Sequence, residues 1–413
     1  MTGKRVIVIG GGAAGLMAAG QAAACGADVL ILEKMKRPGR KLRITGKGRC
    51  NLTNNAPLED FLNHCYGGRD FLRQPFSHFF SGDLLHFFND LGVRIELERG
   101  GRYFPEGNRA EDIVDALVDW VKALNVNLYT DEPVKWVSLE NGTVTGVETG
   151  RKKYKADAVI LTTGGISYPL TGSTGDGYIL AEKMGHTIVQ PRLSLVPLVT
   201  KGETAQQLQG LALKNVTAKL LVDNTVIEEK LGEMLFTHFG LSGPIILTLS
   251  RNAVNTLNEK KEVAISIDLK PGLDENKLEA RLIRDFEQYG SRKFKTMLKG
   301  LLPSTLIPVC CTLTKIDGDK IVAQIRSDER ARLNHWLKDF RFDVYGYRGV
   351  NESIITQGGV STDEIDPNTM ESKLIKNLYF AGEIIDIDAD TGGYNLQIAF
   401  STGYTAGISA AVL

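Results

Sequence analysis

Near its start the chain carries an unbroken apolar run, Val6 to Ile9, set between basic residues and a cluster of glycines. Such a run suits a parallel strand buried on both faces. Ala14 to Ala24 are small and helix-compatible, Gly26 closes that stretch, and Val29 to Leu32 repeat the apolar run. The pattern predicts a strand–helix–strand unit. Helical, aromatic-rich patterning covers residues 61–91. Between residues 109 and 125, Ile113, Leu117, Trp120, Val121 and Leu124 recur at helical spacing, which predicts an amphipathic helix. Residues 132–165 alternate as a β-meander with Asn141-Gly142 as a hairpin turn, and the stretch ends in a buried strand, Ala158 to Leu161.

The texture changes near Pro191. Strand-like alternation covers residues 213–229 and 262–269, and residues 273–340 read as helical and charged. After residue 350 short strands return, among them Leu378 to Phe380, and Gly392-Gly393 then opens a small-residue helix near Tyr394. The expected fold class is α/β: a Rossmann-like domain of residues 1–190 and 351–413. An inserted mixed-β domain, 191–350, would carry a helical part at about 273–340.

Charge narrows the function. Lys and Arg number 49, as do Asp and Glu, so the formal net charge is zero. With no basic stripe, a small-molecule substrate and no nucleic acid are expected. The five cysteines are odd in number and form no C-x-x-C, so neither a disulfide framework nor a dithiol centre is expected. Adjacent Cys310 and Cys311 read as part of a strand, where neighbours face opposite ways, and so as packed thiols. The first 25 residues imitate a secretion leader, but Gly10, Gly11, Gly12 and Gly15 interrupt the apolar stretch. No apolar run reaches the roughly 18 residues of a membrane span, and the cytoplasm is the expected location. The six histidines show no metal-ligand spacing, so no metal site is expected. Oligomeric state is not legible.

Gly10-x-Gly12-x-x-Gly15 follows a strand and opens a helix, and Glu33 ends the next strand. The first glycine permits a tight turn, the second a close approach to a pyrophosphate, and the third close packing of helix on strand. The helix N-terminus, with Ala13 and Ala14, offers free N–H groups to phosphates. Glu33 can accept from ribose hydroxyls, and Lys34 follows it. This predicts a dinucleotide site. The far end of the chain favours FAD over NAD: Gly382-Glu383 can reach ribityl hydroxyls, and Gly393, Tyr394, Asn395 and Leu396 aim a second helix N-terminus at the flavin.

These features, with "GRKLRITGKGRCNLTN" (39–54), "FPEGNRAEDIVDAL" (104–117), "TTGGISYPLTGSTGDGY" (162–178), "FTHFGLSGPIIL" (236–247) and "TQGGV" (356–360), give a chain that resembles the BaiN/RdsA-like NAD(P)/FAD-dependent oxidoreductases. These are also labelled NAD(FAD)-utilising dehydrogenases or aminoacetone-oxidase-like flavoproteins. The resemblance covers essentially the whole chain. It implies bound FAD and a β-barrel-like insertion with a helical piece. It makes Arg40, Lys41, Thr45, Gly46, Asn51, Val134, Thr163 and Gly164 cofactor candidates. His238, inside the motif "THFGLSGP", and Tyr394 are candidate proton donors, with Tyr168 as an alternative; Cys50 is expected to pack rather than react. The expected activity is hydride transfer through the flavin between NAD(P)H, bound transiently, and a small organic substrate, with the pocket at the flavin face beside the insert. The alternatives are an oxygen-using flavin amine oxidase and a non-enzymatic flavin redox sensor.

Overall fold

Parallel strands form the first unit because their sequences are apolar on both faces. The computed structural model describes residues 3–412. These divide into one unit made of residues up to 193 with those from 350 onward, and a second, 194–349. The first unit is built on five strands: β1 (Arg5–Ile9), β2 (Asp28–Leu32), β3 (Asn127–Tyr129), β4 (Ala158–Leu161) and β5 (Leu378–Phe380). Their order is β5-β4-β1-β2-β3, and every pairing is parallel. Val6, Ile7 and Val8 in the central strand are fully buried. Sequence-distant β5 thus completes a sheet begun at β1.

The first helix, Ala13–Ala24, and the last, Tyr394–Val412, are rich in small residues, and this lets their backbones nearly touch. A Cβ on Gly403 would lie 2.5 Å from the Ala14 oxygen, and one on Gly407 2.3 Å from the Ala18 oxygen. Because 403 meets 14 and 407 meets 18, the two helices run in the same direction.

The meander, Val134–Glu140, Thr143–Thr149 and Lys153–Lys155, links β3 to β4. Asn141 and Gly142 both take positive φ, 49° and 74°, as a type I′ hairpin turn needs. A short antiparallel pair joins Cys65–Tyr66 to Asp388–Ala389, bringing two distant segments together just before the last helix.

The second unit contains a closed barrel of six strands. Its strands are Leu198–Thr200, Ala212–Val222, Thr225–Thr237, Gly240–Ser242, Val263–Asp268 and Phe340–Tyr347, all paired antiparallel. Four α-helices between Glu275 and Lys338 lie in the connection between the last two strands. One of them, Leu306–Thr314, holds Cys310 and Cys311, which the sequence pattern placed in a strand. Short apolar runs do not distinguish strand from buried helix. Pro308 misleads too, but it sits in the first helical turn, where a missing N–H does no harm. Both thiols are free. Among the described residues no helix is long and apolar enough to cross a membrane.

Candidate active site

At the end of β1 the chain turns into the first helix through Gly10, whose φ of 103° excludes most side chains. A Cβ on Gly15 would sit 1.9 Å from the Gly10 oxygen, so that glycine serves close packing. Gly12 differs: nothing lies within 4 Å of where its Cβ would be, and no side chain caps the helix there. The first-turn N–H groups, those of Ala13 and Ala14 among them, therefore face open space and suit an anion. Beside them the buried Glu33 carboxylate accepts from the N–H groups of Gly11 at 2.8 Å and Met35 at 2.7 Å. Burial raises its pKa above the usual value, and those two N–H groups work against the rise. A carboxylate has about four lone-pair positions, so Glu33 keeps capacity for ribose hydroxyls. The Glu33 N–H and C=O bond to Tyr129 and Glu132, which puts the start of the meander and Val134 next to this end of the sheet.

The basic loop after β2 is not a solvated run. Lys34 Nζ donates to Thr174 at 2.6 Å and Asp176 at 2.9 Å; Arg40 donates to the Leu170 carbonyl at 3.0 Å. Lys41 Nζ donates to Ser167 at 2.6 Å and pairs with Glu383. These three cations, cofactor candidates by sequence, hold the 163–176 loop, and Lys41 also holds Glu383. Glu383 also accepts from Ser167 Oγ and the Thr356 N–H, each at 2.9 Å. Both bonds fall on Oε1, so Glu383 ties the loop after β4 to the loop after β5, while Oε2, paired with Lys41, keeps a lone pair open to a ribityl hydroxyl. Thr45 Oγ1 bonds the Leu42 carbonyl, and Gly46 turns left-handed with φ 56°.

The far end of that loop reaches the last helix. Asn54 Nδ2 donates to the carbonyls of Gly100 and Gly392, both at 3.1 Å. Gly393 approaches so near that a Cβ there would meet the Thr53 oxygen at 2.4 Å. Asn395 spends its side chain on Ala389 and Asp390, so what it and Leu396 offer a ligand is backbone N–H. Tyr394 is buried, packed edge-on against Phe61 and stacked on His64. Burial, with Asp390 nearby, pushes its phenol up to about 12.

Three observations make this a fit for FAD. Asn51 Oδ1 and Thr163 Oγ1 are buried without a hydrogen-bond partner, although buried polar atoms seldom go unpaired. The first-turn N–H groups of the first helix are open, as just described. Finally, the last helix begins nine residues before Gly403, the position level with Ala14. The first helix begins one residue before Ala14, so at 1.5 Å per residue the two N-termini are offset by roughly 12 Å. One N-terminus suits a diphosphate, and the offset leaves room for a ribityl chain before the second.

His238 is exposed in the turn between barrel strands, edge-on to Phe239 at 4.9 Å. Tyr168 takes φ 51°, and burial raises its pKa. Cys50 is fully buried, and burial pushes its thiol up to about 12, so it packs rather than reacts. Sequence reasoning overlooked His64, Tyr66 and Asp390. His64 Nδ1 lies 2.8 Å from Asp390 Oδ2, and Tyr66 donates to Asp390 Oδ1 at 2.9 Å. The pair is 326 residues apart, and no local signal announces it.

A family model described as HI0933-like protein Rossmann domain matches residues 4–409. The protein belongs to that family. As the motifs implied, this is a BaiN/RdsA-type family of FAD-dependent reductases, and the HI0933-like chain is accordingly an oxidoreductase. It is 33% identical over 99% of both chains to a 3-dehydro-bile acid delta(4,6)-reductase of Clostridium scindens. It is 32% identical over 96% of both chains to a ribosomal RNA dihydrouridine synthase of Escherichia coli. In fold it resembles the 3-ketosteroid-delta4-(5alpha)-dehydrogenase of Rhodococcus jostii RHA1, with TM-score 0.52 and 16% identity, covering 99% of this chain and 97% of that one. Membership of an enzyme family removes the non-enzymatic sensor as a reading, and the RNA-modifying relative reopens the nucleic-acid question that zero net charge had argued closed.

Proposed function

We propose that this HI0933-like protein is an FAD-dependent reductase that saturates a carbon–carbon double bond conjugated with a carbonyl, using electrons from NADH or NADPH. The observation that carries the reading is the offset pair of helix N-termini, with the unpaired oxygens of Thr163, in the loop after β4, and Asn51, two residues before the Thr53 that Gly393 closely approaches. The two relatives support the choice of bond. A 3-dehydro bile acid reduced at delta(4,6) and a uridine converted to dihydrouridine share that feature: each has a C=C in conjugation with C=O.

Bound FAD would supply hydride. The chain's own residues do the rest. Gly12, Ala13, Ala14 and Gly15 present N–H groups to the diphosphate, and Glu33 holds the adenosine ribose. Glu383, braced by Lys41 and Ser167, orients the ribityl chain. Thr163 and Gly164 pass beside Glu383 and line the same path. The N–H groups at Gly393 to Leu396 stabilise negative charge that develops at the ring.

RNA as the substrate has an observation in its favour. A cleft of about 330 Å³ on the barrel unit is lined by Lys201, Lys260, Lys261 and Arg341 with exposed Tyr345, and by the acids Glu262 and Asp343; its excess of cations beside an aromatic face is compatible with single-stranded RNA.

The test is anaerobic. The purified protein should be yellow, and NADH or NADPH should bleach the flavin band. A 4-en-3-one steroid or a ribosomal RNA fragment should then restore the colour, and which one does so names the substrate class. Protein that stays yellow with both nicotinamides but is reduced by an amine would be an amine oxidase. Colourless protein that cannot be loaded with FAD ends the proposal.

A further inference from the structure

We propose that His64, oriented by Asp390, is the proton donor of this site, an assignment that rests on the reductase reading above.

The pair is assembled by the short antiparallel contact of Cys65–Tyr66 with Asp388–Ala389. His64 Nδ1 bonds Asp390 Oδ2 at 2.8 Å; the other oxygen, Oδ1, accepts from Tyr66 at 2.9 Å. The Asp390 N–H also donates to the His64 carbonyl at 2.9 Å. The carboxylate is therefore fixed, and it fixes the ring with Nδ1–H inward. The His64 side chain is 40% exposed and that of Asp390 7%. Nε2 is left for a ligand or for water. This is the arrangement that acid–base chemistry requires: a buried acid orients an imidazole whose second nitrogen is accessible.

Position adds the second argument. The imidazole stacks on Tyr394, the first residue of the last helix, at 4.5 Å between centroids and 23° between planes. It therefore stands beside the N-terminus assigned to the flavin ring. A helix N-terminus disfavours a nearby cation, so an imidazolium there needs a counter-charge, and Asp390 supplies one. The other titratable groups at this corner are Tyr66 and Tyr394 in contact, with Asp60, Cys65, Asp388 and Arg69 acting on Tyr394 or Cys65 electrostatically. His186, by contrast, is buried with both ring nitrogens bonded, to Glu364 and Ser372.

The step balances as follows. With reduced FAD bound, hydride carrying both electrons would be added at the carbon β to the carbonyl. The Nε2–H bond of His64 breaks, and a C–H bond forms at the α carbon. The neutral imidazole then regains a proton from water at its exposed edge.

The experiment has two arms. In the first, apoprotein is treated with diethyl pyrocarbonate and the modified histidines are located by peptide mass spectrometry. His64 should react, FAD should slow its modification at least about tenfold, and His186 should stay unmodified with or without FAD. An unchanged rate at His64 in the presence of FAD would place it away from the cofactor and overturn the assignment, whatever the variants do. In the second arm, FAD-loaded, pre-reduced protein is mixed with the acceptor identified above or with ferricyanide, which takes electrons without carbon protonation. His64→Gln should slow the C=C acceptor on the order of 100-fold and leave ferricyanide unaffected. Asp390→Asn, which favours the other tautomer, should slow it on the order of tenfold or more. His64→Gln within threefold of the parent, or a collapse in His238→Gln instead, overturns the assignment while the reductase reading stands. If the parent protein holds FAD and no C=C acceptor reoxidises it, the reductase reading itself falls.

Discussion

Thr163 shows how a single residue can report a ligand. Its hydroxyl is buried and unpaired, so in the free protein it contributes desolvation without a compensating bond. Thr163→Val keeps the shape and removes the hydroxyl. The variant should unfold at the same temperature as the parent, or slightly above it, when free of FAD. Its FAD dissociation constant should rise about three- to tenfold, the size of one neutral hydrogen bond, as measured by quenching of flavin fluorescence. A hydroxyl with a purely structural role would give the opposite pattern. The sequence placed Thr163 near the cofactor by resemblance; that its hydroxyl lacks a protein partner follows only from the packing around it.

At the scale of elements, His186 holds the end of helix Asp176–Lys183 against the segment around Glu364 and Ser372. Nδ1 lies 3.0 Å from Glu364 Oε2, and Nε2 2.9 Å from Ser372 Oγ. The Ser372 oxygen already accepts from the N–H groups of Leu374 and Ile375, so its own proton points to Nε2, and the ring must be neutral. Burial lowers the His186 pKa from its ordinary 6.5, with Glu364 opposing in part. The folded form thus binds this proton less readily than the unfolded chain. The contribution is complete above pH 6.5 and declines as pH falls through the lowered value. Glu364 acts in the same direction lower down: burial works to raise its pKa, but bonds from Thr187 and His186 hold it below 4.5. Thermal unfolding followed from pH 7.5 to 5 should show a falling midpoint, and His186→Phe should flatten the upper part of that fall. A parent midpoint that is flat from pH 7 to 5.5 would contradict the account.

For the whole molecule, zero net charge conceals an uneven division. Residues 194–349 hold 23 Lys and Arg against 19 Asp and Glu, so the remainder carries the matching acidic excess. The barrel unit is where a phosphate backbone would find cations. If RNA is the substrate, binding of a ribosomal RNA fragment should weaken as salt rises from 50 to 200 mM. Lys260→Ala with Lys261→Ala should reduce the slope of log affinity against log salt by roughly one to two, with FAD content unchanged. A steroid-sized substrate would show almost no such dependence. Filter binding or fluorescence anisotropy across the salt series separates the two.

What the sequence determined by itself follows from local physics. Apolar runs set β1, β2, β4 and β5 because buried parallel strands need apolar side chains on both faces. Glycine spacing set the turn into the first helix because only glycine tolerates those backbone angles and approaches. The small residues of the last helix and the Gly392-Gly393 turn announced a second nucleotide-type element. Tertiary structure alone decided which groups meet. Lys34, Arg40 and Lys41 are cofactor candidates by sequence, and only folding shows that they also tie down the 163–176 loop and Glu383. Cys310 and Cys311 looked like strand residues, and packing within the helical part of the insert made them helical. His64 and Asp390 carry no shared motif; a two-residue strand pairing across 326 positions brings them within 2.8 Å. Local pattern fixes elements because it acts through neighbouring residues, whereas a charge finds its partner only when the chain closes on itself.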